Sequence, residues 1–474
     1  APMADERLYD TIYQERYMGL PTENAEGYRE GSPLTHANKL RGNLLLIHGT
    51  GDDNCHYQAT ERLMDELIAQ GKPFSVLPYP NRTHSIKEGK NTERHLWQTM
   101  TRYLRDNLQS PHAPEPTPAP AVTVRPRLQF INGSDSPIDL FWLKSDTERV
   151  PNGTVAPGKS DIITTTLGHR FAVVSQQDRS EVIVTSEVPV QAYRFGGVPK
   201  FYSQHASAEG FPIVASDKVS PFALQEAVYI INRMLAQRPD VRSAMTKSGA
   251  RLSSLAHNEY TTDQPEWAWM ANTPESGFET ISGRDFWDAR ARGMGGSETD
   301  PYCSCAEENL LAYEGDPYST ENILIHELAH NIHLRGMSNV DPMFDSRVKA
   351  AYDAAMAEGL WKGKYASVNH HEYFAEGVQS WFDDNRENDH DHNHVNTRAE
   401  LLAYDPRLAA LCKEVFGDTE FRYTKPTTRL TGHMEGYDPA KAPKFAWPER
   451  LQDVKKKIRE AAQKRDAKAN APKQ

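Results

Sequence analysis

A chain of 474 residues is longer than one compact core usually holds, so several domains are expected. Its 38% hydrophobic and 25% charged residues are ordinary for a globular protein, and a net charge of -11 argues against general nucleic-acid binding. No run of about 18 apolar residues occurs, so no segment is expected to span a membrane.

The chain opens on Ala1, with no initiator Met, basic stretch or apolar leader, as a processed protein or a piece of a longer reading frame would. Over residues 1–109, strand-like and helical patterns alternate. Gly42 to His48 (GNLLLIH) is a short apolar run, as expected of a strand covered on both faces. Thr60 to Gln70 has helical periodicity and stops at Gly71, Phe74 to Tyr79 reads as a strand, and Thr92 to Leu108 is helical again. This alternation predicts an α/β layer.

Ser110 to Pro126 carries proline at nearly every second or third position, which suits neither helix nor sheet and predicts an extended linker over 110–126. Residues 127–195 are rich in Val, Ile, Thr and Phe, with Asn132-Gly133, Asn152-Gly153 and Pro157-Gly158 as expected turns, and predict a small β domain. From about residue 200 the pattern predicts a mainly α domain over 196–446. In it, Ser220-Pro221 starts a helix to about Gln237, and Arg251 to Ala256 is a strand. A helix over Thr320 to Leu334 is expected to start at Ser319 or Thr320, and another runs from Asn369 to Asp383. Residues 447–474, rich in Lys, Ala and Gln, predict a frayed helix and tail.

The helix over Thr320 to Leu334 carries ILIHELAHNIH. His326 and His330 are four residues apart, so both imidazoles leave one face and can grip one Zn²⁺. Glu327, beside the first histidine, is placed to act as general base. The apolar flanks Ile323, Leu324, Ile325, Leu328, Ala329 and Ile332 predict a buried helix, in which two unpartnered histidines and a glutamate are costly. A third ligand is required. His333 and Gly336 stand where a third-histidine pattern needs Gly and His, so a glutamate on a later helix fits better. Glu372 and Glu376 are one turn apart: one can bind zinc and the other can orient a ligand histidine, with His370 and His371 as further ligand candidates.

HELAH followed some forty residues later by Tyr365-x6-Glu372-Tyr-Phe-Ala-Glu376 resembles the catalytic domain of the anthrax lethal factor type of zincin. The resemblance covers the motif helices. It implies Glu372 as third ligand and Tyr365 as the phenol that stabilises the oxyanion.

Two other cysteine and histidine groups are weaker metal candidates. Cys303-Ser304-Cys305 lacks a second close pair, so Cys55, Cys303, Cys305 and Cys412 are expected to be plain thiols. Asp389 to His394 (DHDHNH) has a ligand-rich composition but follows a charged run and is expected to be a solvated loop.

In residues 1–109, Tyr9-Asp10, Tyr13-x-Glu-Arg-Tyr-Met-Gly-Leu-Pro21, His48-Gly-Thr-Gly-Asp52-Asp-Asn54 and Asn81-Arg-Thr-His84 resemble the end of the catalytic domain of prolyl oligopeptidase family serine peptidases, dipeptidyl peptidase IV branch. Asp52 follows an apolar strand at a glycine turn and His84 follows the next strand, as orienter and base of a triad would. The resemblance makes them those members and places Tyr9, Tyr13 and Asn54 around the substrate. Glu6 stands where that family has a stacking Trp, and no G-x-S-x-G nucleophile elbow occurs in the chain. Such a domain has a base and an orienter without a nucleophile, as the carboxyl-terminal fragment of an α/β-hydrolase or a decayed scaffold would.

Leu128-Gln-Phe-Ile-Asn-Gly-Ser134, Phe141-Trp142, Pro157-Gly158 and Gly168-His-Arg-Phe171 are similar to the β domain of the von Hippel-Lindau tumour suppressor, which implies a small β-sandwich. A protein partner there is an expectation. The whole is expected to be a zinc-dependent peptidase acting on peptides or proteins, periplasmic or secreted. The alternatives are a serine dipeptidyl aminopeptidase fragment with a non-catalytic appendage, or a non-enzymatic binding module.

Overall fold

The computed structural model describes residues 2–108 and 125–469 and divides into two compact units, Ala1–Val122 and Thr123–Gln474. The predicted linker lies outside the described residues except for 125 and 126, as does the end of the tail, 470–474.

In the first unit, a helix α1 (Thr11–Met18) precedes strand β1 (Leu45–Gly49). Helix α2 (Tyr57–Ala69) crosses to β2 (Ser75–Tyr79), which pairs parallel to β1 with Leu45 opposite Ser75, and α3 (Thr92–Leu108) follows. This is the order that a parallel pair needs, because a parallel return requires a long crossover. Ala37, Leu46, Leu63 and Leu67 form a small core.

The second unit opens with seven strands: β3 (Arg127–Asn132), β4 (Ile138–Leu143), β5 (Arg149–Val155), β6 (Ser160–Thr164), β7 (Arg170–Ser175), β8 (Glu181–Thr185) and β9 (Val190–Phe195). They form a sheet in the order β6-β3-β9 and another in the order β5-β4-β7-β8. Leu128, Phe130 and Phe195 of the first share one core with Ile138, Leu140, Phe171 and Val184 of the second. Asn152-Gly153 is not a turn. Both residues lie inside β5, where the register against β4 shifts between Asp139 and Phe141, and Gly153 takes φ 109°. An Asn-Gly pair also suits a bulge, where glycine supplies the positive φ.

From residue 204 onward the structure departs from the mainly helical pattern expected of the sequence. Strands β10 (Gln204–Ala208), β11 (Phe211–Ala215), β12 (Arg251–Leu255), β13 (Gly293–Met294) and β14 (Tyr302–Ala306) form a mixed sheet in the order β10-β11-β12-β14-β13. The inner strands β11, β12 and β14 are parallel and buried almost throughout. Short strands covered on both faces do not alternate, so they give no period-two signal. The longer helices are α4 (Pro221–Met234), α5 (Pro239–Lys247), α6 (Gly283–Arg290), α7 (Ile323–Asn331), α8 (Phe344–Ala357), α9 (His370–Trp381), α10 (Pro406–Phe416) and α11 (Glu449–Ala469). Helices α7 and α9 pack together, and α7 also packs on β14.

Helix α7 starts later than expected, because Asn322 and not Ser319 or Thr320 is its cap: the Asn322 side chain accepts from the Ile325 amide. It ends in a π turn, Ile332–Met337. The segment after 446 is not merely a frayed tail. Leu451 and Val454 of α11 are buried against Ile281, Phe286 and Ala289. The seven-stranded segment is also tied to the helices of the same unit. Asn339 exchanges hydrogen bonds with the backbone of Val190, and the Ala192 amide donates to Ser248 O. Among the described residues, no helix is long and apolar enough to cross a membrane.

Candidate functional site

Three ligand atoms from α7 and α9 converge. His326 Nε2 lies 3.1 Å from Glu372 Oε2, His330 Nε2 lies 3.4 Å from the same oxygen, and the two Nε2 atoms are 3.3 Å apart. The four-residue spacing on α7 sets both rings on one face. The Asn369 side chain caps α9 by accepting from the amides of His371 and Glu372, which fixes the turn that carries Glu372.

This donor set fits zinc. Ligands about 2.0–2.2 Å from a tetrahedral ion stand roughly 3.3–3.5 Å from one another, close to the separations here. Two imidazole nitrogens and a carboxylate brought so close also need a shared positive charge. Burial lowers His326, but Glu372 raises it well above the ordinary imidazole value, and the two imidazoles hold Glu372 below the carboxylate range against its own burial.

His326 is oriented through Nδ1, which lies 2.8 Å from Gln379 Oε1. Gln379 Nε2 in turn donates to Glu321, which is paired with Arg386. Glu376 was expected to be that orienter. It lies farther off, 3.5 Å from Nδ1, and instead accepts from Asn385 and meets His392 Nε2 at 3.3 Å. The signal for Gln379 was present in the sequence: residues 372, 376 and 379 form an i, i+4, i+7 stripe on α9.

His326, Glu327, His330, Tyr365, Glu372 and Glu376 line a cleft of about 820 Å³. Burial pushes the Glu327 carboxyl up, against the lowering pull of His326 and His330. Burial and Glu372 push the Tyr365 phenol up, so its hydroxyl stays protonated and able to donate. The Tyr365 ring sits 6.0 Å from that of His326, and its amide donates to Asp391 O at 2.7 Å. The 389–394 loop is therefore not simply solvated. His392 is buried, and its Nδ1 bonds Asp389.

Sequence reasoning missed Gly293 of β13 and Gly295 just after it. A Cβ on Gly293 would fall 3.0 Å from Glu327 Cγ, and one on Gly295 would fall 2.9 Å from Glu327 Oε2 and nearer still to His330. Only glycine lets this edge backbone lie against the histidine face of α7. The Gly-Met-Gly-Gly run is the signal that was available. His370 and His371, the alternative third ligands, are turned toward Asp345, whose Oδ1 is 3.0 Å and 3.6 Å from their Nε2 atoms. All four cysteines are free and buried.

The first unit brings Asp52 and His84 together. His84 Nδ1 lies 3.0 Å from Asp52 Oδ2, so Nδ1–H donates and Nε2 is left as the basic nitrogen. The amides of Asn54 and Cys55 donate to Asp52 Oδ1. Burial pushes Asp52 up, but His84 and the two amides together outweigh it and hold the carboxyl below its ordinary value. His48, not anticipated, completes the cradle: its Nε2 lies 3.1 Å from Asp52 Oδ2 and 2.7 Å from Cys55 O. A Cβ on Gly49 would strike the carbonyls of Arg82 and Thr83, so glycine is what allows the His84 loop to approach. The Tyr9 and Tyr13 rings meet edge to face at 5.9 Å, and Asn54 is an exposed residue of the Asp52 loop.

Residues 1–111 match the sequence model of the prolyl oligopeptidase family. Dipeptidyl peptidase 8 of Mus musculus is 40% identical over 116 residues, which are 23% of this chain and 13% of that protein. Dipeptidyl aminopeptidase A of Saccharomyces cerevisiae is 39% identical over 109 residues, 22% of this chain and 12% of that protein. Among solved structures, dipeptidyl peptidase 4 of Porphyromonas gingivalis is 43% identical over 22% of this chain and 15% of that chain, with a TM-score of 0.22. The amino-terminal 111 residues thus match the prolyl oligopeptidase family and are similar to dipeptidyl peptidases, and the chain spans about 12–15% of the length of these relatives.

Proposed function

We propose that the chain is a peptidase whose complete catalytic set lies in the second unit and is zinc-dependent, of the lethal factor zincin type. The observation that carries this reading is the convergence of His326 Nε2, His330 Nε2 and Glu372 Oε2 within 3.1–3.4 Å on the floor of a cleft. An ion held there supplies Lewis acidity toward the scissile carbonyl. Glu327, on the same floor, takes the proton of the attacking water and passes it to the leaving amine, and its burial favours that exchange. Tyr365 donates a hydrogen bond to the oxyanion. Gln379 holds the His326 ring so that Nε2 faces the cleft. The edge strand β13 lets an extended peptide pair with its backbone, the usual way that a strand edge takes a peptide. Glu327→Ala in the full chain, assayed on quenched-fluorescent peptides, abolishes turnover and leaves zinc bound. Turnover that survives the substitution sinks the assignment.

A second reading rests on the Asp52–His84 pair and on the prolyl oligopeptidase match. In it the first unit supplies base and orienter to a serine nucleophile and removes dipeptides from peptide substrates. We also read residues 127–195 as a β-sandwich that binds a protein partner. The common core of its two sheets supports the first part, and the exposed Ile162, Val182 and Ile183 support the second. A periplasmic or secreted location belongs to the same proposal.

A further inference from the structure

Beside the HExxH site, a second set of ligand-bearing side chains converges from three segments. His333 lies on the π turn after α7, Asp345 opens α8, and His370 and His371 open α9. The Nε2 atoms of His333, His370 and His371 lie 3.1, 3.0 and 3.6 Å from one oxygen, Asp345 Oδ1. The ligand atoms of Asp345, His370 and His371 all lie within 4.8 Å of one another.

Only His370 hydrogen-bonds that oxygen, and His371, at 3.6 Å, is beyond hydrogen-bond reach. The third imidazole is that of His333. Its ring is fully buried, lies off the line of a hydrogen bond to Asp345, and has no hydrogen-bond partner at either nitrogen. Phe344 and Phe374 pack edge-on against it, so an apolar side chain would suit the same space without an orphaned nitrogen. A buried imidazole aimed at a carboxylate that two other imidazoles also face is the pattern of a ligand.

We propose that His333, Asp345, His370 and His371 form a second divalent transition-metal site, separate from His326, His330 and Glu372. Three imidazoles and one carboxylate suit Zn²⁺ and its neighbours and do not suit Mg²⁺ or Ca²⁺, which take oxygen ligands. An ion here ties the end of α7 and the start of α8 to the first turn of α9. Glu372 follows His371 directly, so the ion acts as a positioning device for the third ligand of the neighbouring site.

The test uses the full chain, stripped of metal, equilibrated with ZnCl₂ and gel-filtered. Elemental analysis is expected to find two zinc ions per wild-type chain and one in His326→Ala/His330→Ala, which reads the second site without the first. Adding Asp345→Asn to that variant is expected to remove the remaining ion, and the visible bands of the Co²⁺-loaded form with it. Asparagine keeps the shape of aspartate. Asp345→Asn alone, in a chain with the wild-type circular dichroism spectrum, is therefore expected to lower the count from two to one and to weaken zinc binding at the second site at least tenfold. Two outcomes overturn the proposal: no zinc in a folded His326→Ala/His330→Ala chain, or a zinc count that Asp345→Asn leaves unchanged. Neither depends on peptide hydrolysis, so failure of the zincin reading is recorded separately.

Discussion

The two units solve different problems with the same residue types. In the first, one carboxylate orients one imidazole: Asp52 takes the Nδ1 proton of His84 in a hydrogen bond and leaves the other nitrogen as a base. In the second, two imidazoles and a carboxylate turn their lone pairs toward one point, which calls for a cation. The first arrangement needs a nucleophile to act, and G-x-S-x-G does not occur in this chain. The second, in the reading proposed above, needs only an ion and water. Histidine and carboxylate side by side therefore do not define a mechanism. What decides is whether the lone pairs converge on one point or hand a proton along a line.

The sharpest way to break this contrast is to remove metal. Chelation with 1,10-phenanthroline is expected to abolish peptide hydrolysis by the full chain, and ZnCl₂ to restore it. A fluorophosphonate is expected to leave hydrolysis unchanged and to label no residue. The reverse pattern would move the active centre to the first unit.

Glycine offers the next test, since each site depends on one. Gly295→Ala drives a Cβ into His330 and Glu327, and a displacement of about 1 Å at a catalytic group costs about 100-fold in kcat/KM. Gly49→Ala, which instead strikes the carbonyls of the His84 loop, is expected to lower the thermal stability of the first unit and leave kcat/KM unchanged. Equal losses from the two variants would mean that the sites are not independent.

The site was more legible in the sequence than the fold around it. Helical spacing alone put His326 and His330 on one face, and the first turn of α9 offered Glu372 as one of several third-ligand candidates. Gln379 was readable by the same arithmetic but carries no charge to draw attention. The sheet behind the site left little trace. Strands such as Tyr302–Ala306 are buried on both faces and hold Cys, Ser and Ala in place of a period-two pattern. His48 was hidden for a related reason, since nothing in an apolar strand marks its histidine as facing Asp52. Tyr365 and Glu372 gained their roles from resemblance, and their meeting in one cleft is a tertiary fact that local spacing does not contain.

A smaller effect probes how the His326–His330–Glu372 site is held. Gln379→Leu keeps the bulk but removes the acceptor at His326 Nδ1 and the donor to Glu321. Zinc affinity is expected to fall about tenfold, as for other partners of ligand histidines, and full activity to return at high zinc. Unchanged affinity would show that Glu376, 3.5 Å from the same nitrogen, takes over the role.

The smallest effect belongs to the first unit. Asp52 is buried, and His84 with the Asn54 and Cys55 amides holds its carboxyl below the ordinary value. A carboxyl depressed in the folded state adds stability above its unfolded value and loses it as pH falls through the folded one. Hydrogen exchange over residues 45–84 is therefore expected to show protection that is steady at neutral pH and declines below about pH 4. Asp52→Asn keeps an acceptor but not the charge. It is expected to lower protection at pH 7 by about 1 kcal/mol, to flatten the acid decline, and to leave zinc-dependent hydrolysis untouched. An acid limb identical in the two proteins would mean that the Asp52 charge is not what organises the His84 loop, and the comparison between the units would lose its first half.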